Sequence, residues 1–326
     1  MKKKLILVCL IQLTLIISSC REAPEPDPVT LQLKWIHQAQ FSGYYAAREL
    51  GYYQEENIEL NILPGGPNVD YFQVLEDGTA DFAVVRPEGV FLEREEGNLI
   101  TAVAVIYQIN PFLLVSKQGS GITSPEDFPG KVVALAGTGS SVQFNAMLNN
   151  LEIDPDTMKV VPFEFDYAPF VEGEVDVLPS FAAGSLLDVE QLGIPLNYIW
   201  PSDYGVDWYS DTLVVADRLL VENPDLVDRF VQATLRGHQY AFTHPEEAAE
   251  ISLKYAEIQD YDLQLEMLRA SIPLIHTGSV KLGEMNAAVW ESMQEDLLEQ
   301  GLLESHQPLE KIFDETFVID FHEGEK

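Results

Sequence analysis

The sequence predicts an α/β fold of two lobes, each built on a largely parallel sheet with helices on both faces. Strand-like and helix-like patterns alternate along much of the chain, and a second run of such patterns interrupts the first. We expect residues 29–117 and 206–326 to form lobe 1, and residues 118–205 to form an inserted lobe 2. Because the chain would then cross twice between the lobes, the crossings predict a hinge beside an interlobe cleft.

The first part of lobe 1 is predicted from the spacing of its apolar residues. The expected strands are residues 29–33, 58–62, 81–85 and 99–106. Phe41, Tyr44 and Ala47 repeat at helical spacing after the first strand, and Gly51 suits the end of that helix. A second helix is expected over about 69–76. This alternation of strands and helices is the reason for predicting parallel strands.

Lobe 2 shows the same alternation, and the C-terminal part of the chain changes character. Strands are predicted over residues 131–135, 160–161, 175–178 and 196–199. A helix should open at the glycine-rich stretch 137–141. From Leu213 onward the pattern predicts helices, with Asn223 as an N-cap and Pro224 in the first turn. Trp290 and Met293, three residues apart on a later helix, are expected in the core.

The first twenty residues have the pattern of an export signal. Three lysines are followed by an apolar stretch at residues 5–17, which is shorter than the roughly 20 residues that a membrane span needs. Residues 17–20 resemble a bacterial lipobox, which predicts cleavage before Cys20 and lipidation of that cysteine. An ordinary secretory signal with an incidental cysteine is the alternative. Residues 21–28 alternate proline with acidic residues and predict an extended tether.

Charge and cysteine content exclude several classes of function. The chain has 19 Lys and Arg against 53 Asp and Glu, a formal net charge of -34. Such a surface repels a phosphate backbone, so we predict no nucleic-acid partner. The two cysteines are Cys9 and Cys20. After cleavage, the folded body would therefore contain no disulfide, no cysteine-ligated metal and no cysteine nucleophile.

Motifs for catalysis are missing from the sequence. The six histidines form no HExxH pattern, and neither a Gly-x-Ser-x-Gly elbow nor a Walker lysine motif is present. The turn at 137–141 follows a strand and precedes a helix, so Thr138 and Ser140 could contact a ligand there. A plain tight turn explains the same residues. We predict no catalytic residue, no metal and no cofactor.

The stretch just after the first strand suits the binding of a small planar solute. Ligands of open α/β sheets collect at the carboxyl ends of the strands. Aromatic side chains offer flat faces, and glutamine amides both donate and accept hydrogen bonds. The candidates here are Trp35, Gln38, Gln40, Phe41 and Tyr44. Packing of the helix on the sheet is the alternative role for the aromatic residues.

Further binding candidates follow the ends of other predicted strands. Arg86 follows the 81–85 strand and would either face the ligand or pair with Glu88. Gln108 lies on the hinge side of lobe 1. Lobe 2 and the return crossing supply the remaining candidates, which are Phe165, Phe181, Tyr204 and Asp207.

The same residues carry a family resemblance. The run Lys34-Trp35, Gln38-Ala39-Gln40-Phe41 and Gly43-Tyr44-Tyr45 resembles the opening of solute-binding proteins for sulfonates and thiamine pyrimidine precursors. The resemblance implies the type II periplasmic-binding-protein fold. It also implies an extracytoplasmic, monomeric receptor that serves the permease and ATPase of an ABC importer, and the predicted lipid on Cys20 would anchor that receptor to the membrane. The expected solute is a planar heterocycle, foremost a thiamine pyrimidine precursor and next riboflavin or a sulfonate.

Two other functions are compatible with the resemblance. One branch of similar proteins is a thiamine pyrimidine synthase that uses its own histidine and pyridoxal phosphate, but that branch carries a cysteine-rich cluster. A ligand-sensing subunit of a membrane signalling system is the second alternative. One departure concerns the ligand: residues 180–185 lack the acid that many relatives carry at the matching place, where it can bond an amino group of the solute.

Overall fold

The computed structural model of the chain describes residues 25–324. The predicted signal, the lipidation of Cys20 and the first four tether residues lie outside this part. In the described part, ten strands form two five-stranded sheets. The strands are β1 (Asp27–Gln32), β2 (Ile58–Leu63), β3 (Phe82–Val85), β4 (Ile100–Val105), β5 (Phe112–Lys117), β6 (Val132–Leu135), β7 (Lys159–Pro162), β8 (Val177–Phe181), β9 (Leu196–Ile199) and β10 (Thr212–Ala216).

Helices connect the strands and cover the sheets. They are α1 (Ser42–Glu49), α2 (Tyr52–Glu55), α3 (Tyr71–Glu76), α4 (Pro87–Glu96), α5 (Gly137–Asn150), α6 (Ala168–Glu172), α7 (Ser185–Gln191), α8 (Asp217–Glu222), α9 (Pro224–Thr243), α10 (Pro245–Ser252), α11 (Tyr261–Ile275), α12 (Ala287–Glu299) and α13 (Thr316–Gly324). Short 3-10 turns occur at Ala39–Phe41, Pro125–Asp127, Pro155–Thr157, Pro201–Tyr204 and Leu309–Lys311. Between residues 25 and 324, no helix combines the length and the apolarity of a membrane span.

The two sheets repeat one topology. Lobe 1 has the strand order β2-β1-β3-β10-β4, and lobe 2 has the order β7-β6-β8-β5-β9. In lobe 1, β10 runs antiparallel to β3 and β4, while β1 is parallel to β2 and β3. In lobe 2, β5 is the antiparallel strand. The prediction of two α/β lobes with largely parallel sheets is confirmed.

Local signals in the sequence explain where several helices begin and end. Gly51 follows α1 with φ of 83°, a left-handed conformation that glycine adopts without strain. The side chain of Asn223 accepts a hydrogen bond from the backbone N–H of Leu226 at the start of α9. Trp290 and Met293 on α12 are fully buried, as expected for core residues.

Three expected boundaries differ from the structure. The tether was predicted to reach residue 28, yet Asp27 and Pro28 already pair with β2. Pro28 is tolerated because β1 pairs with β3 only at Leu31 and Gln32, which leaves the other edge open at the proline. Residues 112–117, assigned to lobe 1, form β5 in the sheet of lobe 2. Residues 212–216 form β10 instead of starting a helix.

The chain crosses between the lobes over residues 106–111 and 200–211. The two crossings are hydrogen-bonded to each other, with the backbone N–H of Ile106 donating to the carbonyl of Asp211 at 2.8 Å. The N–H of Ser210 donates to the carbonyl of Tyr107 at 3.1 Å. Two paired crossings favour opening and closing about one axis over independent motion of the lobes.

Candidate functional site

The site lies where the strand order of each sheet reverses. In lobe 1 the chain goes from β1 to β2 on one side and then crosses back to β3 on the other side of β1, and in lobe 2 the same holds for β6, β7 and β8. Carboxyl ends of strands at such a switch point form a crevice for ligands. Side chains that follow these strands in one lobe contact those of the other lobe, so the two switch points face each other across the cleft.

A buried ion pair forms the floor of the cleft in lobe 1. Lys34 follows β1, and its ammonium pairs with the carboxylate of Asp211 on the return crossing. The side chains of Lys34 and Asp211 are 11% and 2% exposed. Lys34 Nζ also donates to Ser210 Oγ at 3.2 Å. The pair therefore ties the first strand of lobe 1 to the hinge.

The two predicted glutamines extend this network. Gln40 Nε2 donates to Asp211 Oδ2 at 2.7 Å, and Gln38 Nε2 donates to Gln40 Oε1 at 2.7 Å. Both glutamines are buried. Burial first, and the charge of Asp211 second, raise the pKa of the Tyr107 phenol beside the network. The donors of Gln38 and Gln40 are thus used to hold Asp211 in place.

A second ion pair follows β3. Arg86 Nε lies 3.1 Å from Glu88 Oε1 in the first turn of α4, and the guanidinium lies 6.0 Å from the ring centroid of Tyr71. The residue Glu88 is only 1% exposed. Burial raises the pKa of the Glu88 carboxyl, and Arg86 and Lys34 oppose this rise. Among the residues that the structure describes, the ion pair with Arg86 does not have good hydrogen-bond geometry, so the buried carboxylate of Glu88 is poorly satisfied.

Aromatic side chains bring the two lobes together. The ring of Trp35 from lobe 1 lies 5.5 Å from that of Phe165, centroid to centroid. Phe181, at the end of β8, lies under the ammonium of Lys34 at 5.2 Å and beside Tyr107 at 6.2 Å. Phe165 is 48% exposed, so its outer face is accessible. Trp35 and Phe165 thus contact each other across the cleft, with their ring planes inclined by 41°.

Two glycines allow the backbone of lobe 2 to lie close to candidate residues of lobe 1. A Cβ added at Gly139, in the first turn of α5, would lie 2.5 Å from Cδ and Nε of Arg86. One added at Gly184 would lie 3.9 Å from Gln38 Nε2. Ser140 Oγ donates to the carbonyl of Ala136 at 2.7 Å, which uses its proton inside the turn. Thr138 is in the same turn, and its side chain is outside what the structure describes.

Two predicted aromatic residues lie beneath the cleft. Phe41 and Tyr44 are 0% and 1% exposed and belong to the core of lobe 1. The ring of Tyr44 packs edge-on against His238, with centroids 4.8 Å apart. Packing is therefore the role that these contacts show for both residues, which is the alternative weighed for them from the sequence.

The remaining predicted residues have other positions. Gln108 Nε2 donates to the carbonyls of Glu284 and Val105 at 2.9 and 3.2 Å, so its amide fastens a loop to the first crossing. The carbonyl of Tyr204 accepts from Asn150 Nδ2 at 3.1 Å. Asn150 ends α5, about 16 Å along this helix from Gly139 in its first turn. Asp207 is exposed on the loop that follows. The structure does not bring Tyr204 or Asp207 to the switch points.

Four contributors at the switch points were not selected from the sequence: Lys34, Glu88, Gly139 and Asp211. Lys34 and Glu88 follow strand ends, which is a usable signal. Asp211 had no such signal, because its partner Gln40 is 171 residues away along the chain. Gly139 becomes important only through the approach of Arg86 from the other lobe.

The fold and the site together define a class: two-lobed proteins that enclose a small solute at a hinge. The chain resembles in fold the periplasmic sulfonate-binding protein SsuA from Methylobacillus flagellatus, with a TM-score of 0.72 over 93% of this chain and 96% of that chain. Escherichia coli SsuA gives a TM-score of 0.70 over 90% and 94%. Sequence identity to each is 14%, so these matches establish the periplasmic-binding-protein fold alone.

Sequence comparison gives the family. Residues 38–248, more than half of the chain, match the family described as NMT1/THI5 like, and the chain belongs to this family of ABC solute-binding proteins. The riboflavin-binding protein RibY of Chloroflexus aurantiacus is 29% identical over 91% of this chain and 88% of that protein. The formylaminopyrimidine-binding protein of Halalkalibacterium halodurans is 23% identical over 88% and 91%. A 4-amino-5-hydroxymethyl-2-methylpyrimidine phosphate synthase of Legionella pneumophila is 26% identical over 68% and 72%.

Proposed function

We propose that this protein is the extracytoplasmic receptor of an ABC importer and that it captures a planar nitrogen heterocycle in the interlobe cleft. The observation that carries the proposal is the contact of Trp35 with Phe165 across the cleft, in a lobe whose neighbouring strand ends also position the Lys34–Asp211 and Arg86–Glu88 ion pairs. Flat rings bind the faces of a planar solute, and polar groups fix its edges. Lipidation of Cys20 would hold the receptor at the membrane.

The paired crossings support a mechanism of capture by closure. In the open form, solute would enter between the lobes and lie against Trp35. Rotation about the two crossings would then bring Phe165 and Phe181 of lobe 2 onto it and exclude water. The closed form would dock on a permease, and the partner ATPase would power import. Capture of this kind requires no covalent step.

Two solutes are the leading candidates. A thiamine pyrimidine precursor is supported by the similarity to the formylaminopyrimidine-binding protein over 88% of the chain. Riboflavin is supported by the similarity to RibY, at 29% identity over 91% of the chain. Both have a planar ring with nitrogen and oxygen atoms at its edge.

Calorimetric titration with 4-amino-5-hydroxymethyl-2-methylpyrimidine, riboflavin and hexanesulfonate tests the proposal. We expect one heterocycle to bind, and Trp35→Ala to weaken that binding by about 1–3 kcal/mol, the scale of ring stacking. Tyr52→Ala is the matched control. Tyr52 begins α2, beyond the helix α1 that leads away from the cleft, and its ring packs under the guanidinium of Arg236. Failure of both heterocycles to bind, or equal affinity in the Trp35 variant, would refute this function.

A further inference from the structure

The charges around the cleft are balanced. Lys34 is paired with Asp211, and Arg86 is paired with Glu88. Each cation that follows a strand of lobe 1 at the switch point is therefore already compensated by a carboxylate of the same lobe. An anionic solute that enters the cleft would lose its hydration and find no positive charge that is still free to pair with it. This costs several kcal/mol. This arrangement favours an uncharged solute.

The two pairs differ in how well their carboxylates are satisfied. Asp211 accepts hydrogen bonds from Gln40 and Ser210 besides its ion pair with Lys34. Glu88 is more than nine-tenths buried, and within residues 25–324 the side-chain group that pairs with its oxygens is the Arg86 guanidinium, at 3.1 Å and outside good hydrogen-bond geometry. A buried carboxylate with so few donors is costly, and donors supplied by a ligand would offset part of that cost.

Contacts place Glu88 at the boundary between the lobes. Its oxygen lies 3.1 Å from Arg86 Nε, and the same Nε lies 2.5 Å from the position of a Cβ at Gly139 in lobe 2. The charge of Lys34 also acts on Glu88. Glu88 is thus next to Arg86, the side chain that meets the first turn of α5 in lobe 2.

We propose that Glu88 selects the solute: its carboxylate accepts hydrogen bonds from N–H groups on the edge of an uncharged heterocycle and excludes alkanesulfonates. This inference rests on the proposed function and specifies the solute of the same site. The exocyclic amino group of an amino-substituted pyrimidine provides N–H donors, and the oxygens of a carboxylate accept them. A sulfonate provides acceptors only and carries the same charge as Glu88.

Glu88→Gln is the direct test, because it keeps the shape of the side chain and removes its charge. Glu96→Gln is the matched control, since Glu96 ends the same helix at an exposed position. The probes are 4-amino-5-hydroxymethyl-2-methylpyrimidine, riboflavin and hexanesulfonate. We expect Glu88→Gln to bind the preferred heterocycle about 10- to 100-fold more weakly, the loss of a charge-assisted hydrogen bond. It should gain affinity for hexanesulfonate, because Arg86 loses its counter-charge.

The outcomes separate this inference from the function on which it rests. If wild type binds a heterocycle and Trp35→Ala weakens it, but Glu88→Gln binds both probe classes as wild type does, the role of Glu88 is wrong and the function stands. If wild type binds no heterocycle, both fail. Glu88→Asp covers the case in which the glutamine variant does not fold. It should lose heterocycle affinity through its shorter reach and still exclude hexanesulfonate, and binding equal to wild type would overturn the proposal.

Discussion

The two lobes meet the cleft with different kinds of residue. Lobe 1 contributes charged and amide side chains that are held by each other, in the Lys34–Asp211 pair and the Arg86–Glu88 pair. Lobe 2 contributes aromatic rings and close backbone, at Phe165, Phe181 and the turn at Gly139. Fixed polar groups provide directional recognition, whereas rings and glycines allow close approach. Under the proposed function, the polar groups of lobe 1 would recognise the edge of the solute, and lobe 2 would cover it.

The largest expected effect comes from breaking the polar network of lobe 1. Asp211→Ala would leave the ammonium of Lys34 buried without its counter-charge. We expect the free energy of unfolding to fall by about 3–5 kcal/mol, as for other buried ion pairs that lose one partner. Urea unfolding, followed by circular dichroism, measures the change.

The double variant Lys34→Met/Asp211→Leu is the control for this prediction. With both charges removed, it should recover much of the stability that Asp211→Ala loses, because the cost arises from the unpaired charge. The Gln40 amide would still lack its acceptor, so recovery should be incomplete. If the single variant is as stable as wild type, Lys34 and Asp211 are not a buried pair in solution, and lobe 1 is not preorganised.

Lowering the pH should reduce the stability of lobe 1, because His238 in its interior becomes protonated. Burial lowers the pKa of this imidazole from 6.5 to about 3, and its ring packs on Tyr44 under the cleft floor. The folded state thus binds its proton less readily than the unfolded state does. The stabilising contribution is complete above pH 6.5 and is lost as the pH falls toward 3. We expect a loss of about 3 kcal/mol between neutral pH and pH 4.

Comparison with His238→Leu isolates that contribution from the many titrating carboxylates. Stability is measured for both proteins by urea unfolding at a series of pH values. The difference between them should change across this range, with wild type losing more stability in acid. If stability changes with pH in the same way in both proteins, His238 is not a buried neutral group. The interior of lobe 1 would then be less rigid than we infer from its comparison with lobe 2.

Local patterns in the sequence were sufficient to predict most elements but not the membership of the sheets. The strand at 81–85 and the helix opening at Gly137 were predicted to within a residue or so, because alternation, buried runs and glycine act locally. By contrast, β10 was mistaken for the start of a helix. A short apolar run followed by a helix is ambiguous by periodicity alone, and its place between β3 and β4 depends on partners over 100 residues away in the chain.

The residues of the site also divide into those that local sequence patterns could predict and those that they could not. Trp35, Arg86, Phe165 and Phe181 could be selected because they follow predicted strand ends, and parallel strands end at one edge of a sheet. Tyr204 and Asp207 were selected because they lie on or near the return crossing, yet Tyr204 is bonded at the far end of α5 from the switch point. Pairing between distant segments, as in Gln40 with Asp211, leaves no mark in a single sequence.

The smallest expected effect concerns closure by lobe 2. Gly139→Ala would place a methyl group where Cδ and Nε of Arg86 lie, so Arg86 must move before the lobes can meet. Since Arg86 is a flexible side chain, the cost should be only about 1 kcal/mol, a loss of roughly fivefold in solute affinity. Calorimetry with the preferred heterocycle measures it. Overall stability should not decrease, because alanine favours the helix more than glycine does.

A double-mutant cycle shows whether Arg86 is the obstacle. Once Arg86→Ala has been introduced, Gly139→Ala should cost no further affinity, since the side chain that it displaces is gone. Ser141→Ala, in the same turn, is the control for general effects on the start of α5, because the Ser141 hydroxyl bonds only to the carbonyl of Gly137 in the described contacts. Equal losses from Gly139→Ala with and without Arg86 would mean that lobe 2 does not close against Arg86. The contact between Arg86 and Gly139 would then not link the polar groups of lobe 1 to the closure of lobe 2.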